Sequence, residues 1–193
     1  MAESITPRIV NEFSMQFSRL AERIDSFLRR FMDICASALG LVVLSPLFLI
    51  LGVLIKRDSP GPVFFRGRRM GRGGQEFKIL KFRTMYETQA SYDGPCLTCE
   101  GDTRITPLGQ WLRDTKLNEL PQLWNVLVGE MSLVGPRPED PNIAQKWPEP
   151  LREVLISVRP GITSPASIVY RNLEKLLSGE NLLGDYFQDI LPS

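Results

Sequence analysis

One long apolar segment near the start of the chain is the strongest feature of its hydrophobic pattern. From Phe31 to Ile55 the only charged residue is Asp33, and a helix of about 20 apolar residues is long enough to cross the hydrocarbon layer of a membrane. Basic residues flank both ends of the segment and favour the cytoplasmic side; they are Arg23, Arg29, Arg30, Lys56 and Arg57. The pattern predicts a membrane helix with both ends in the cytoplasm.

A Ser-Pro pair, Ser45-Pro46, lies near the middle of this segment. Proline removes a backbone donor and clashes with the preceding turn, while a serine hydroxyl can bond the carbonyl that proline frees. We therefore predict that residues 30–57 form a re-entrant membrane helix that kinks at Ser45-Pro46 and returns to the face it entered. A spanning helix with a tolerated kink is the alternative.

Residues 1–29 show a different periodicity. Apolar residues recur at steps of three and four, with charged residues between them, which predicts an amphipathic helix; the apolar positions are Ile9, Phe13, Phe17, Leu20, Ile24, Phe27 and Phe31. Three roles are open for this helix. It can lie in the membrane interface, pair with a second copy in a homodimer or pack against the rest of the chain.

After Pro60-Gly61-Pro62 the pattern becomes that of strands. Val63–Phe65 and Phe77–Phe82 are rich in aromatic and branched residues and are separated by a turn at Gly71–Gly74, which predicts a β-hairpin. The turn glycines are not followed by a helix beginning with Lys-Ser or Lys-Thr. They are therefore interpreted as turn residues and not as a phosphate-binding loop.

The remaining pattern is mostly helical. Helices are predicted at Pro107–Arg113, Leu117–Val128, Pro141–Trp147, Pro150–Val158 and Leu173–Leu177, with a polar loop at Gln89–Gly101. The predicted fold class is α+β and mostly helical: a re-entrant membrane helix followed by a small cytosolic catalytic domain, residues 58–193, that contains the hairpin. At 193 residues the chain has room for one such domain and its accessory segments.

Composition narrows the chemistry. The chain contains no histidine, which excludes Ser-His and Cys-His nucleophile pairs and zinc sites with histidine ligands. A net charge of +1 argues against a nucleic-acid partner. The pair Cys96-x-x-Cys99 has no second pair to complete a metal site, so we interpret it as part of a loop.

A local excess of basic residues lies between Lys56 and Arg83, opposed only by Asp58 and Glu76. Such a patch suits anionic lipid headgroups or a pyrophosphate, although a solvated basic surface is also consistent with it.

The main candidate site lies in the segment LNELPQLWNVLVGEMSLVGPRP, Leu117–Pro138, and in the later turn Arg159–Thr163. Asn118 and Glu119 fall in the first turn of a predicted helix, where free amide groups favour anions, and we expect Thr115 to cap that helix. Arg137 and Arg159 are next to prolines, whose rigid turns place a phosphate-binding guanidinium at low entropy cost.

Together with the apolar segment, these motifs resemble the small monotopic phosphoglycosyl transferases, bacterial sugar transferases that load a sugar phosphate onto a polyprenol phosphate. The resemblance covers roughly residues 30–192. It implies a re-entrant helix broken at a pair matching Ser45 and Pro46, on the cytoplasmic face of the bacterial inner membrane. It also implies a UDP-sugar, undecaprenyl phosphate and membrane lipids as partners, and Mg2+ as the cofactor.

The resemblance further implies roles for single residues. At the position of Asn118 the family carries an aspartate that attacks the β-phosphate of the UDP-sugar, releases UMP and holds the phosphosugar covalently. Glu119 would help to position Mg2+, together with the residue at 118, or would manage the proton of the polyprenol phosphate. Arg137 and Arg159 would bind phosphate, and Arg113 and Lys81, in Lys-Phe-Arg-Thr-Met, match less specific family motifs.

Asn118 is a departure from this pattern, because an amide supplies neither a nucleophilic oxyanion nor an anionic metal ligand. We expect the chain as written to be inactive. The alternative is a catalytically silent membrane scaffold that binds polyprenol phosphate or nucleotide sugar. We favour a laboratory origin for Asn118 over natural variation, and we expect the chain to be truncated at its C-terminus.

Overall fold

The computed structural model describes residues 5–89, 91, 98 and 101–164, with side chains from residue 23 onward. The first helix, α1, runs from Ile5 to Asp58 and carries both the predicted amphipathic segment and the predicted membrane segment. The predicted helix Leu173–Leu177 lies outside the described residues, as do Cys96 and Cys99.

Helix α1 continues through Pro46. Because Pro46 has no amide hydrogen, the carbonyl of Val42 loses its usual helical partner. The Ser45 hydroxyl donates to that carbonyl at 2.8 Å, which confirms the predicted compensating bond. The predicted break and return at Ser45-Pro46 is not confirmed, since α1 is a single helix on both sides of the pair.

The surface of α1 is strongly apolar. Its part from Arg23 to Asp58 is long and apolar enough to cross a membrane, and large side chains such as Phe27, Val42 and Leu49 are 70–71% exposed. Ile24 and Phe31 are also more than half exposed. These residues therefore do not pack against the rest of the described chain, and a lipid environment would remove their contact with water.

The predicted hairpin is confirmed and is longer than expected. Strand β1, Phe64–Met70, pairs antiparallel with β2, Glu76–Phe82, in a register that places Phe64 opposite Phe82 and Met70 opposite Glu76. A short 3-10 turn at Arg72–Gly74 joins the two strands.

The rest of the described chain is built from short elements. Helix α2 spans Pro107–Asp114, a 3-10 helix with the sequence LNELPQ spans Leu117–Gln122, and α3 spans Leu123–Val128. Helices α4 and α5 span Pro141–Ala144 and Glu149–Ser157. The helix predicted for Leu117–Val128 is thus divided into a 3-10 part and an α part.

Two strands of three residues were not predicted. Strand β3, Ser132–Val134, pairs in parallel with β4, Gly161–Thr163. Strands this short show no period-2 pattern that a sequence can reveal. Their pairing matters because it brings the Gly-Pro-Arg-Pro turn beside the Arg-Pro-Gly turn.

Two hydrophobic clusters hold these elements together. The first joins α1 to the hairpin and α2 through Leu51, Ile55, Phe82 and Leu112, and Phe48 contacts Phe82 edge to face. The second lies under the other end of the hairpin and contains Phe77, Ile79, Val126 and Met131. Strand β2 contributes to both clusters, so its position is fixed from both sides.

Polar contacts attach α1 to the globular part at one turn. Arg30 donates to the carbonyls of Val126 and Leu127 at the end of α3, and Asp33 accepts from the Ser132 hydroxyl and the Leu133 amide at 2.8 and 3.0 Å. Asp33 is 7% exposed. A carboxylate buried in this way is stable only because both oxygens are bonded, so the single charge in the apolar segment fixes β3 to α1.

Replacing Asp33 with leucine should loosen this attachment. Two donors at β3 would lose a charged acceptor, at a cost of about 2–3 kcal/mol, and the Leu133 amide should exchange with solvent roughly 30-fold or more faster in hydrogen-exchange mass spectrometry. Asp33→Asn keeps an acceptor oxygen and is the matched control. Equal exchange at Leu133 in the leucine variant and the parent would contradict this role.

Candidate active site

The LNELPQ helix begins directly after α2, and the residue that starts it is not the predicted one. Thr115 does not cap this helix: its hydroxyl donates back to the carbonyls of Trp111 and Leu112, at the end of α2. Lys116 takes the cap position in a left-handed conformation, with φ at 61° and no capping side-chain bond. The predicted Thr115 cap is therefore wrong, because the preceding helix already uses the hydroxyl.

Asn118 and Glu119, the first two candidates, lie in the first turn of the LNELPQ helix. Asn118 is 8% exposed, and its side-chain oxygen has no hydrogen-bond partner among the described residues. Glu119 accepts from the Lys81 ammonium at 2.9 Å, and the same oxygen lies 3.5 Å from a guanidinium nitrogen of Arg137. A buried amide oxygen thus lies next in sequence to a carboxylate that two cations contact.

Strand β2 brings Lys81 to Glu119. Side chains alternate across a strand, so Lys81 lies on the face opposite Phe82, which is buried against α1. The strand is held by Asn125 of α3, whose amide accepts from the Leu80 amide and donates to the Lys78 carbonyl, both at 2.9 Å. Asn125 also donates to Glu130 at 2.6 Å, so every group of this buried amide is used.

Burial and charge shift the pKa of both members of the ion pair. Burial alone would raise the pKa of Glu119, but the charges of Lys81 and Arg137 outweigh it and lower this pKa from 4.5 to about 2. Burial lowers the pKa of Lys81 from 10.5 to about 8, with a further contribution from Arg137, against the opposing effect of Glu119. At neutral pH the site therefore holds a carboxylate beside two cations.

The lowered pKa of Glu119 predicts how the stability of the fold changes at low pH. The carboxyl titrates at about 2 when folded and near 4.5 when unfolded, so its contribution is complete above pH 4.5 and is lost as the pH falls towards 2. Over this range the free energy of unfolding should fall by about 2–3 kcal/mol, as measured by unfolding in detergent at a series of pH values. Glu119→Gln should make the free energy of unfolding depend less on pH in this range. An unchanged pH dependence in the Glu119 variant would contradict the assignment of this stability change to Glu119.

The two arginine-proline turns meet at the β3–β4 pair. Gly135 donates to the Thr163 carbonyl at 3.0 Å, and Gly161 donates to the Pro136 carbonyl at 2.8 Å. A side chain on either glycine would collide with the backbone of the other turn. The close crossing thus requires glycine at both positions, and it fixes the backbone that presents Arg137 to Glu119.

The other two candidate arginines occupy different positions. Arg159 donates to the Gly129 carbonyl at 3.0 Å, just beyond α3. Arg113 donates to the hydroxyls of Thr84 and Thr98, both at 2.9 Å. The structure thus brings Lys81, Glu119 and Arg137 together, with Asn118 preceding Glu119 in the same helix. It gives Arg113 and Arg159 bonds to other protein groups.

The basic segment between Lys56 and Arg83 does not form a single patch. Arg83 is buried and donates to the carbonyls of Ser59 and Pro60, where the chain leaves α1. Lys81 belongs to the site, and Arg69 lies 3.5 Å from Asp140. Part of the charge excess is therefore structural.

Sequence reasoning missed the residues that support the site. Asn125, Arg30 and Asp33 make buried or partly buried bonds between separate elements. A signal was present for two of them, because Asn125 and Asp33 are polar residues inside apolar stretches. Their partners lie 45 to 100 residues away along the chain, and the pattern carries no information about such contacts.

Two side-chain oxygens of the described site have the chemistry of metal ligands. Among the described residues no three His, Cys, Asp or Glu side chains are grouped as a metal site. Asp114 accepts from Gln110, and Glu130 accepts from Asn125. The remaining oxygen ligands at the site are the unpartnered amide oxygen of Asn118 and the carboxylate of Glu119, which Mg2+ could bind together with oxygens of a substrate.

Comparison with known proteins places the chain in a family. Residues 24–186 match the family described as bacterial sugar transferase. A UDP-N-acetylgalactosamine-undecaprenyl-phosphate N-acetylgalactosaminephosphotransferase of Aeromonas hydrophila is 40% identical over 79% of this chain and 36% of its own length. An undecaprenyl-phosphate glucose phosphotransferase of Komagataeibacter xylinus is 42% identical over 75% of this chain and 28% of its own length.

A third relative is closer in size. The exopolysaccharide production protein ExoY of Sinorhizobium fredii is 39% identical over 75% of this chain and 70% of its own length. The chain thus spans about a third of the length of the Aeromonas and Komagataeibacter relatives and most of the length of this one. Because the family match extends over most of the sequence, the resemblance predicted from the motifs is confirmed, and the chain belongs to the bacterial sugar transferase family.

Proposed function

We propose that this protein is built to transfer a sugar 1-phosphate from a UDP-sugar to a polyprenol phosphate, such as undecaprenyl phosphate, with release of UMP. The observation that carries the proposal is the contact of Glu119 with Lys81 and Arg137, one residue after the buried Asn118. The names of the relatives, which include undecaprenyl-phosphate phosphotransferases for N-acetylgalactosamine and glucose, support the substrate class.

The charges at the site suit a diphosphate donor. Lys81 and Arg137 together carry two positive charges against the single negative charge of Glu119, so the cluster is positive by one unit. The Arg137 side chain is 52% exposed, whereas those of Lys81 and Glu119 are each 15% exposed. Arg137 is therefore the cation placed to meet an incoming phosphate, which its forked donors match.

The residue at position 118 would decide the chemistry. With aspartate there, a carboxylate oxygen would attack the β-phosphorus of the donor, and the bond from that phosphorus to the oxygen shared with the α-phosphate would break, so that UMP leaves with the electron pair. An oxygen of the polyprenol phosphate would then attack the same phosphorus and release the carboxylate. The Asn118 amide has no anionic oxygen for the first step, so we propose that the chain as written is inactive.

We propose Mg2+ as the cofactor, with the side-chain oxygens of Asn118 and Glu119 as protein ligands. The Asn118 oxygen, which has no partner among the described residues, is a neutral hard donor, and the Glu119 carboxylate is the anionic ligand; Mg2+ sites commonly use one or two protein ligands together with substrate phosphates. When bound, the ion would neutralise charge on the diphosphate. Lys81, in its contact with Glu119, would orient that carboxylate.

The proposed location is the cytoplasmic face of a bacterial inner membrane, with α1 inserted as a monotopic, re-entrant element. The exposed apolar surface of α1 supports insertion. The basic residues at both ends of the apolar segment support two cytoplasmic ends. A bend at Ser45-Pro46 would be tolerated because the Ser45 hydroxyl already bonds the carbonyl that Pro46 frees. Homodimer formation through residues 1–29 also stays a proposal.

One observation favours a second function, a silent scaffold that binds the same ligands. Asn118 keeps the shape of the site while it removes the nucleophile. The two functions are separated by measuring UMP release and sugar transfer with a set of UDP-sugars and polyprenol phosphate, before and after Asn118→Asp. Gain of transfer on reversion would support the transferase, whereas a scaffold would gain nothing.

A further inference from the structure

An open groove of about 540 Å³ lies where α1 ends and the hairpin begins. Its walls are apolar and include Phe48 and Gly52 of α1 together with Val63 and Phe64. Lys56 and Arg57, in the last turn of α1, also line it. The groove thus has apolar walls and carries positive charge at the end of α1. A site that binds an anionic amphiphile needs both features.

The two cations are available to a ligand. Lys56 and Arg57 are both exposed, and neither forms an ion pair within the part of the chain that the structure describes. Cations near a helix C-terminus are favoured by the helix dipole, which explains their position on α1. The dipole does not explain the apolar groove beside them, which an aliphatic chain would fill between α1 and the start of the hairpin.

We propose that this groove binds an anionic phospholipid, with an acyl chain along the wall and the phosphate at Lys56 and Arg57. The inference rests on the membrane placement of α1 given under the proposed function. Long basic side chains extend to the headgroup level while their stems stay in the apolar layer. The end of a membrane helix is where these two regions meet.

The position of the groove argues for a structural lipid and against the acceptor substrate. Phe64 stacks on Phe82 with ring centroids 5.4 Å apart, so the groove lies on the Phe82 face of the hairpin. Lys81 is adjacent to Phe82 in the strand, and its side chain reaches Glu119 from the opposite face. A phosphate held by Lys56 and Arg57 is therefore not presented to the candidate active site.

The test compares lipid retention in variants of the whole chain. Protein is placed in nanodiscs with equal amounts of phosphatidylglycerol and phosphatidylcholine, and the lipids that stay bound are identified by native mass spectrometry. Lys56→Gln with Arg57→Gln should lower the preference for phosphatidylglycerol about twentyfold, since each cation near an anionic headgroup contributes about fivefold. Lys78→Gln with Lys146→Gln removes the same charge from exposed positions outside the groove and should leave the preference unchanged.

A second variant tests the apolar wall without changing charge. A Cβ atom added at Gly52 would meet Val63 at an ordinary contact distance of 3.6 Å. Because Gly52 lines the groove, Gly52→Leu should fill it, keep α1 helical and reduce retention of both lipids.

The other outcomes overturn the proposal in distinguishable ways. Equal preference in the Lys56/Arg57 variant and the parent would show that these cations bind no headgroup. Displacement of phosphatidylglycerol by added undecaprenyl phosphate would assign the groove to the acceptor. Failure of every variant, and of the parent, to enter nanodiscs would overturn the membrane placement in the proposed function and the groove assignment with it.

Discussion

Replacing Asn118 with aspartate is expected to raise the rate of UMP release from the preferred UDP-sugar by about three orders of magnitude or more. The position is 8% exposed, and its side-chain oxygen has no partner among the described residues. A carboxylate of nearly the same shape would supply the anionic oxygen that attack on phosphorus requires.

The measurement has two readouts. The first is UMP release with polyprenol phosphate in detergent, and the second is the mass of the peptide that contains residue 118 after incubation with the donor alone. The aspartate variant should gain the mass of one phosphosugar on that peptide and lose it when the acceptor is added. Covalent mass on any other peptide would place the nucleophile elsewhere.

Two controls isolate the effect of position 118. Asn142→Asp makes the same chemical change at an exposed position outside the cluster, and it should leave the rate at the parent level. Asn118→Ala should also stay inactive. Rapid turnover by the parent, or an aspartate variant that stays inactive with many UDP-sugars, would show that the reaction does not depend on a carboxylate at this position.

Replacing Lys81 with methionine in the aspartate background is expected to lower turnover about 100-fold and to destabilise the fold by about 2–3 kcal/mol. Methionine keeps the length and the apolar stem of the lysine but removes its charge. Glu119 would lose its 2.9 Å partner and keep only Arg137, at 3.5 Å. A largely buried carboxylate would then be less well compensated, and its pKa should rise from about 2.

The double variant Lys81→Met with Glu119→Gln removes both charges together. Its unfolding free energy should fall by less than the sum of the two single changes, with a coupling of about 1–2 kcal/mol. Lys78→Met, three residues earlier on the same strand at an exposed position, should change neither stability nor turnover appreciably. If the effects of the two single changes on the unfolding free energy added up to that of the double variant, the 2.9 Å contact would contribute no net stability.

Long elements and local motifs were accessible from the sequence because their signals are local. The apolar run predicted the long helix α1, and two strand-like runs around a glycine turn predicted the hairpin. Asn118, Glu119 and Arg137 belong to one contiguous motif, and Lys81, which contacts Glu119, was selected from a less specific one. Their roles were implied by the family resemblance and stay predictions.

Arg113 and Arg159 show what a local motif leaves open, and their predicted roles in phosphate binding stay predictions. Each stands in a motif that suits phosphate binding, yet in the fold each donates to protein groups, Thr84 and Thr98 for Arg113 and the Gly129 carbonyl for Arg159. A motif identifies a side chain that can bind phosphate. Which partner it has depends on elements far away in the sequence.

The sequence alone determined the chemical character of this protein: an apolar helix flanked by basic residues, a composition without histidine, and a family motif with an amide where the resemblance implies an aspartate. The tertiary structure decided which groups meet, through the parallel pairing of β3 with β4, the hold of Asn125 on strand β2, and the attachment of α1 at Asp33. The physical reason is that helix periodicity and turn chemistry arise between near neighbours in the chain. The environment of a buried charge, by contrast, is set by packing between residues that are distant in sequence.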